Sequence, residues 1–387
     1  MKMVLKIVLM VVMFAMAAPS CSKDNGAPVA NKKTAAEETR TAVDSEAKLC
    51  KEEYLGQKPM IIAYLTEYTS ASSLDASCVT HINYAHGRFA NPKTGNGGIV
   101  IAAPDLLKKV VALKQQKPTL KVLLMIGGWG EHADGFSMMA RDAAKRTAFC
   151  KSVKDHIDNY GLDGVDIDWE YPNGGPSTNG KSADDPKNFN LVLKELRETI
   201  GDTKIISYAS SSSAKYAEWK GAMKYLDYVN VMTYDMGKPP YHNSTLFHSK
   251  LTRDISCEES IELHRKAGVP LSRQNLGVPF YGHGTSPYDA DVKYVTMASI
   301  FAAKEGSAYY GKNIRKWDDV AKVPYLVDGD GNMLLGYDDA ESVGYKGKYV
   351  KDKNLCGAMF WEFRHDDAQG TLRKALCKAI YGKESTK

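Results

Sequence analysis

Eight short runs rich in apolar and β-branched residues recur along the chain, most of them separated by stretches of helical periodicity, and this alternation restricts the fold more than any other feature. The runs are 60–66, 79–85, 121–126, 162–168, 204–209, 228–233, 275–279 and 355–361. Between them, 104–115, 143–160, 186–200 and 257–267 read as amphipathic helices. Strands that alternate with helices build βα units and a parallel sheet. Eight of them predict a closed (β/α)8 barrel, an α/β fold of the TIM-barrel type. The chain has 387 residues, enough for such a barrel with an insert. The interval 283–345, with its Tyr, Gly and Asp content, is too long for a simple βα loop. It is expected to form a small α+β insertion subdomain between strands seven and eight, leaving 58–282 and 346–383 for the barrel.

The fourth run continues into an unusual concentration of acid: Asp163, Asp166, Asp168 and Glu170 fall within eight residues. On a strand, side chains alternate faces, so Asp166, Asp168 and Glu170 line one side while Val165, Ile167 and Trp169 line the other. Like charges that close cannot all ionise cheaply, which drives their proton affinities apart and keeps at least one acid protonated near neutral pH. A general acid needs that. A calcium loop is the plainer alternative, but it wants a turn-forming glycine among its ligands and no bulky apolar residues between them. Barrel active sites lie at the C-terminal ends of the strands, so Tyr64, Trp129, Glu170, Tyr234, Asp235 and Trp361, at the ends of different runs, are expected to converge on one pocket.

Lys and Arg number 51 against 46 Asp and Glu, a formal charge of +5, too weak to suggest nucleic acid as a partner. Lys2 and Lys6, an apolar stretch over 7–18 and small residues before Cys21 read as a secretory leader, residues 1–20. The tract Ala17-Ala18-Pro19-Ser20-Cys21 resembles a bacterial lipoprotein cleavage box. It implies a lipidated Cys21 as the mature N-terminus and attachment by acyl chains to the cell envelope, at the outer membrane or cell surface. Residues 21–57 are polar and read as a tether. Cys50, Cys78, Cys150, Cys257, Cys356 and Cys377 show no metal-ligand spacing, and their pairing cannot be read from sequence. No metal or cofactor is implied, and a monomer is expected.

Taken together, these motifs resemble glycoside hydrolase family 18, the chitinase family, whose signature D-x-x-D-x-D-x-E is complete as Asp163, Asp166, Asp168 and Glu170. Further matches follow in barrel order: Ile82-Asn83-Tyr84-Ala85, Ile126-Gly127-Gly128-Trp129, Met232-Thr233-Tyr234-Asp235, Gly277-Val278-Pro279-Phe280-Tyr281-Gly282 and Gly357-Ala358-Met359-Phe360-Trp361-Glu362. The resemblance covers about 58 to 382 and implies the same barrel. By it, Glu170 is the general acid and then base, and the nucleophile is the substrate's own 2-acetamido group. Asp168 orients that group, Asp166 exchanges a proton or hydrogen bond with Asp168, and Tyr234 donates to the acetamido oxygen. Trp361 is the floor under the sugar with Met232 and Asp235 beside it, and Trp129, Tyr171 and Tyr64 complete the substrate-binding set. Trp219 and Trp317 are candidates either to stack on sugars or to pack, whereas Trp169 belongs to the core.

Three departures bear on function. Met125 stands where the family often has Ser, removing a hydroxyl for Asp166 and leaving Tyr64 to satisfy it, with a shifted pH profile expected. His283 replaces a common Arg, and Lys238-Pro239-Pro240 a frequent Trp, so weaker aglycone binding is expected; an insertion shorter than that of family members with a deep processive groove implies a shallow cleft and endo-type cutting. The leading expectation is a retaining hydrolase of β-1,4-linked N-acetylglucosamine glycans such as chitin. An endo-β-N-acetylglucosaminidase acting on N-glycan chitobiose cores is the alternative, which Trp169 disfavours, and peptidoglycan-derived glycans are a further substrate. A non-catalytic glycan-binding protein is the alternative of another class, disfavoured by the intact Glu170.

Overall fold

The computed structural model describes residues 53–56, 58–177, 180–286, 288, 291–297 and 314–383. The expected leader 1–20, the lipidation site Cys21 and most of the tether lie outside these residues. Eight parallel strands close on themselves: β1 (Met60–Thr66), β2 (His81–Phe89), β3 (Lys121–Gly128), β4 (Gly164–Trp169), β5 (Ile205–Ser211), β6 (Tyr228–Met232), β7 (Gln274–Pro279) and β8 (Gly357–Trp361). Each pairs with its neighbour in sequence, and β1 pairs with both β2 and β8. A short strand, Ile99–Ile101, adds antiparallel to β2. The chain is a (β/α)8 barrel, as the alternation of runs predicts.

Helices α1 (Pro104–Ala112), α2 (Ala143–Tyr160), α3 (Asp185–Ile200), α4 (Cys257–Ala267), α5 (Ala340–Asp352) and α6 (Thr371–Tyr381) follow strands. Their ends are set locally. Asp142 caps α2 by accepting from the Lys145 N–H, and Gly161 ends it with φ 66°, a conformation that suits glycine. Ser256 and Glu259 cap α4 reciprocally.

The period-2 alternation sorts two cores. Ile61, Ala63 and Leu65 of β1, like Val165, Ile167 and Trp169 of β4, face the helices. Met60, Ile62 and Tyr64, with Leu123, Met125, Ile205, Tyr228 and Met359, fill the barrel interior. Packing against the barrel begins before residue 58, where the tether was expected to end. Leu55 is buried, the Tyr54 hydroxyl donates to Asp227, and the Leu55 carbonyl bonds the His81 ring at 2.9 Å. These two apolar side chains anchor what composition alone reads as tether.

Between β7 and β8 lies a five-stranded antiparallel sheet in the order 291–293, 281–284, 333–336, 323–327, 314–318. It has a small core of its own, with Tyr288, Val292, Leu326, Leu335 and Tyr337. One buried cation joins the end of this insert to the barrel. Lys346 of α5 is fully buried, and its Nζ donates to both Asp338 carboxylate oxygens and to Ser244 Oγ, each at 2.8 Å. Ser244 in turn donates to the Thr233 carbonyl just beyond β6. Removing one partner of a buried ion pair strands the other charge, at a cost of about 3–5 kcal/mol. Lys346→Ala is therefore expected to lose stability on that scale in urea unfolding; a loss of under about 1 kcal/mol, the range of exposed pairs, would show that the pair holds nothing together.

Candidate active site

The acid row of β4 points into the mouth of the barrel. Asp166 is fully buried, Asp168 is 3 % exposed and Glu170 8 %. Close approach of β3 makes this possible. Gly127 has φ 106°, and a Cβ there would meet the Asp168 carbonyl oxygen at 2.2 Å, so glycine is required at that point.

Asp166 sits below the cleft and is held from three other strands of the barrel. It accepts from the Tyr64 hydroxyl at 2.7 Å, from the Ser207 hydroxyl and from Asn230 Nδ2 at 3.1 Å. Asn230 also donates to Tyr64 Oη and receives from Asn275 Nδ2. Burial pushes the Asp166 carboxyl up to about 6, and these donors hold it from rising further. The expectation that Met125 would leave Asp166 to Tyr64 alone is thereby corrected. Met125 lines the pocket, but Ser207 and Asn230 supply the donors from β5 and β6.

Asp168 is raised well above the ordinary carboxyl range by burial and by the charges of Glu170 and Asp166. Its Oδ1 is buried with no hydrogen-bond partner among the described residues. Glu170 is raised to about 7 by burial and by the charge of Asp235, against a hydrogen bond with Tyr171. Of the row, Asp168 therefore holds its proton most firmly, and Glu170 is poised to give one up near neutral pH.

A cleft of about 750 Å³ opens above the row. It is lined by Asp168, Glu170, Tyr64, Trp129, Tyr171, Met232, Tyr234, Asp235 and Trp361, so the residues expected to converge do so, with only Asp166 beneath the surface. Trp361 lies 5.7 Å from the Tyr64 ring. Trp129 is 60 % exposed and meets Tyr171 edge-on, while Tyr171 stacks on Tyr216 at 4.6 Å. Asp235 has φ 57°, its N–H donates to Asn243 Oδ1 at 2.8 Å, and it bonds the Tyr281 hydroxyl at 2.6 Å and the His283 ring at 2.8 Å. His283, in the place of a common Arg, also reaches Asp291 at 2.9 Å, so it ties the insert's edge to the cleft wall.

The other tryptophans do not line the cleft. Trp219 is buried and donates to the Ala214 carbonyl at 2.8 Å; Trp317 packs beside Tyr345 under the Arg315 guanidinium. Trp169 stacks on Phe136 behind the strand. Three histidines that sequence reading missed do line it, His86, His132 and His365. His86 stacks on His132 at 4.6 Å and bonds Glu67 at 2.8 Å. Strict alternation groups His86 with Tyr84, which faces the helices, but the register of β2 against β3 shifts between Tyr84 and Gly87. A bulge of this kind re-aims a side chain. Among the described residues no group of three or more His, Cys, Asp and Glu side chains is disposed to hold a metal.

Comparison with known proteins agrees with this geometry. Residues 60–366 match the family described as Glycosyl hydrolases family 18. Chitinase A1 of Niallia circulans is 33% identical over 404 residues, covering 83% of this chain and 57% of that protein. Chitinase B of Serratia marcescens is 28% identical over 360 residues, 71% of this chain and 70% of the other. The chain thus spans little more than half of the Niallia protein. Among solved structures, Chitinase ChiA74 from Bacillus thuringiensis matches with a TM-score of 0.74 at 26% identity, covering 86% of this chain and 71% of that one. An N-acetylglucosaminidase from Paenibacillus barengoltzii matches at 0.70 and 29% identity, covering 83% and 99%.

The raised carboxyls carry a stability consequence with a definite sign. In the folded protein Asp168 keeps its proton as pH climbs past 3.8, its ordinary value, while the unfolded chain ionises. Its contribution to stability is therefore fully present below that value and is lost as pH rises towards the folded-state value. Asp168→Asn does not titrate and escapes this loss. In urea unfolding across pH 4 to 8, the variant is expected to gain on the native protein steadily as pH rises; a gap that stays flat would mean that Asp168 is not held protonated.

Proposed function

The chain belongs to the glycosyl hydrolases family 18, and on that footing we propose that it is a retaining hydrolase of β-1,4-linked N-acetylglucosamine glycans, chitin and its oligosaccharides, working by substrate-assisted catalysis. The observation that carries this reading is the carboxyl row. Glu170, its carboxyl raised to about 7, faces the cleft, and beside it a buried Asp168 oxygen has no partner among the described residues.

The lining of the cleft supports the following roles. A sugar resting on Trp361 sets its 2-acetamido N–H towards Asp168 Oδ1, and the Tyr234 hydroxyl, which also lines the cleft, donates to the acetamido carbonyl oxygen. Glu170 gives its proton to the glycosidic oxygen as the C1–O bond breaks and the acetamido oxygen bonds to C1 from the opposite face. The cyclic oxazolinium-like intermediate carries positive charge, which lowers the proton affinity of Asp168 and drives its proton to Asp166, leaving a carboxylate that stabilises the charge. Glu170, now a carboxylate, takes a proton from water, which attacks C1 and reopens the ring. Two inversions give retention.

Trp129 and Tyr171 line the cleft beside Glu170, with Tyr216 stacked behind Tyr171, an aromatic surface suited to the C–H faces of further sugars. Lipidation at Cys21 would hold the enzyme at the cell envelope, a reading supported by Lys2, Lys6 and the apolar run before it; Cys21→Ser is then expected to move the protein from the membrane to the aqueous fraction, and an unchanged distribution refutes the anchor.

Chitotetraose and a high-mannose glycopeptide, each incubated with the native protein and with Glu170→Gln, test the reaction. Cleavage of the first with retained anomeric configuration is expected, reduced by at least 10²–10⁴-fold in Glu170→Gln, the usual worth of a general acid. Cleavage of the glycopeptide alone would transfer the activity to N-glycan cores, and binding without cleavage of either would make the protein a lectin-like binder.

A further inference from the structure

Away from the cleft, one face of α6 is bound to the segments on either side of β1. Arg373, Cys377 and Tyr381 follow one another at intervals of four residues and share that face. Arg373 Nη1 donates to the Asp75 carbonyl at 3.3 Å and to its carboxylate at 3.4 Å. The Tyr381 hydroxyl donates to the Pro59 carbonyl. Between these two anchors, the Cys377 thiol donates to the Cys78 sulfur. From a third side, Lys117 Nζ donates to the Ala76 and Val79 carbonyls at 3.2 and 2.8 Å, so the loop carrying Cys78 is fixed as well as the helix. Both cysteines are buried, 1 % and 0 % exposed, in the core between strands and helices.

We propose that Cys78 and Cys377 form a disulfide when the chain meets an oxidising compartment, clipping the last helix of the barrel to the loop ahead of β2. The oxidant is a disulfide donor, either a small molecule or a protein. The Cys78 thiolate attacks one donor sulfur and expels a donor thiolate. The Cys377 thiolate then attacks the Cys78 sulfur of the mixed disulfide and expels the second. The donor gains two electrons, the two cysteines lose them, and the two thiol protons pass to solvent or to the departing thiolates. Cys78 suits the first role, because the Cys377 hydrogen bond holds it down to about 7, while Cys377 itself is raised by donating that bond. Cys150, pushed up to about 12 by burial, and Cys257, also raised by burial, are poorer nucleophiles. With both sulfurs buried, the donor reaches Cys78 through a local opening of the packed state. The link closes a loop containing nearly the whole barrel, so it restricts the unfolded chain strongly.

Full-length protein purified in the reduced state and equilibrated with glutathione mixtures of graded redox poise tests this, with maleimide trapping and non-reducing peptide mass spectrometry as readouts. The expected result is one cross-linked peptide pair joining Cys78 to Cys377, lighter by two hydrogens (about 2 Da), lost on adding dithiothreitol, and a higher unfolding temperature for the oxidised form. Cys78→Ser and Cys377→Ser should each erase that difference; if either variant fails to fold, mapping of the native chain decides alone. Complete maleimide labelling of both cysteines at every poise, a glutathione adduct without a cross-link, or a link to another cysteine would overturn the pairing, and a cross-link with no rise in unfolding temperature would overturn its role as a clip.

Discussion

Burial of three carboxyls in one row, against their preference for water, is the constraint around which the rest of the site is arranged. A barrel interior is a poor place for charge, and the row is tolerated because its deepest member is wrapped in donors. Tyr64 from β1, Ser207 from β5 and Asn230 from β6 all converge on Asp166. With the bottom of the row fixed in this way, Asp168 above it meets two like charges and little water, and it keeps its proton. Glu170, nearest the mouth, has the mildest shift of the two upper groups because Tyr171 offsets part of the burial. Proton affinity therefore peaks at the middle of the row, and the proposed acid chemistry uses its outer end.

The walls of the cleft come from elements that have no reason to meet except closure of the barrel. Asp235 leaves β6 in a left-handed conformation, held by Asn243 on one side and by Tyr281 and His283 of the inserted sheet on the other. The insert therefore does more than lengthen one loop. Its first strand carries the side chains that orient a carboxylate whose charge raises Glu170, and the buried Lys346–Asp338 pair ties its far end back to the segment after β6. The mouth of the barrel and the insert form one polar network, so changes in the insert will reach the acid through charge as well as shape.

How much of this was legible in the chain differs from residue to residue. The runs, the helices and the alternation that turns Asp166, Asp168 and Glu170 inward are local properties, and they held wherever the strand was regular. His86 escaped because a register shift breaks the count inside β2. Ser207 and Asn230 escaped because a polar residue within an apolar run carries no mark of the partner it will meet. Trp219 and Trp317, chemically as suited to sugars as Trp129, pack elsewhere, and only their surroundings tell them apart.

The sequence by itself determined the barrel, the order of its strands and the presence of an acid row at the end of the fourth, because periodicities of 2 and 3.6 act over a few residues and need no distant partner. Only the tertiary structure decided which donors hold Asp166, which aromatics line the cleft and which two of the cysteines face each other. Each of those pairings joins segments far apart in the chain, and their separation becomes defined only when β1 meets β8 and the barrel closes.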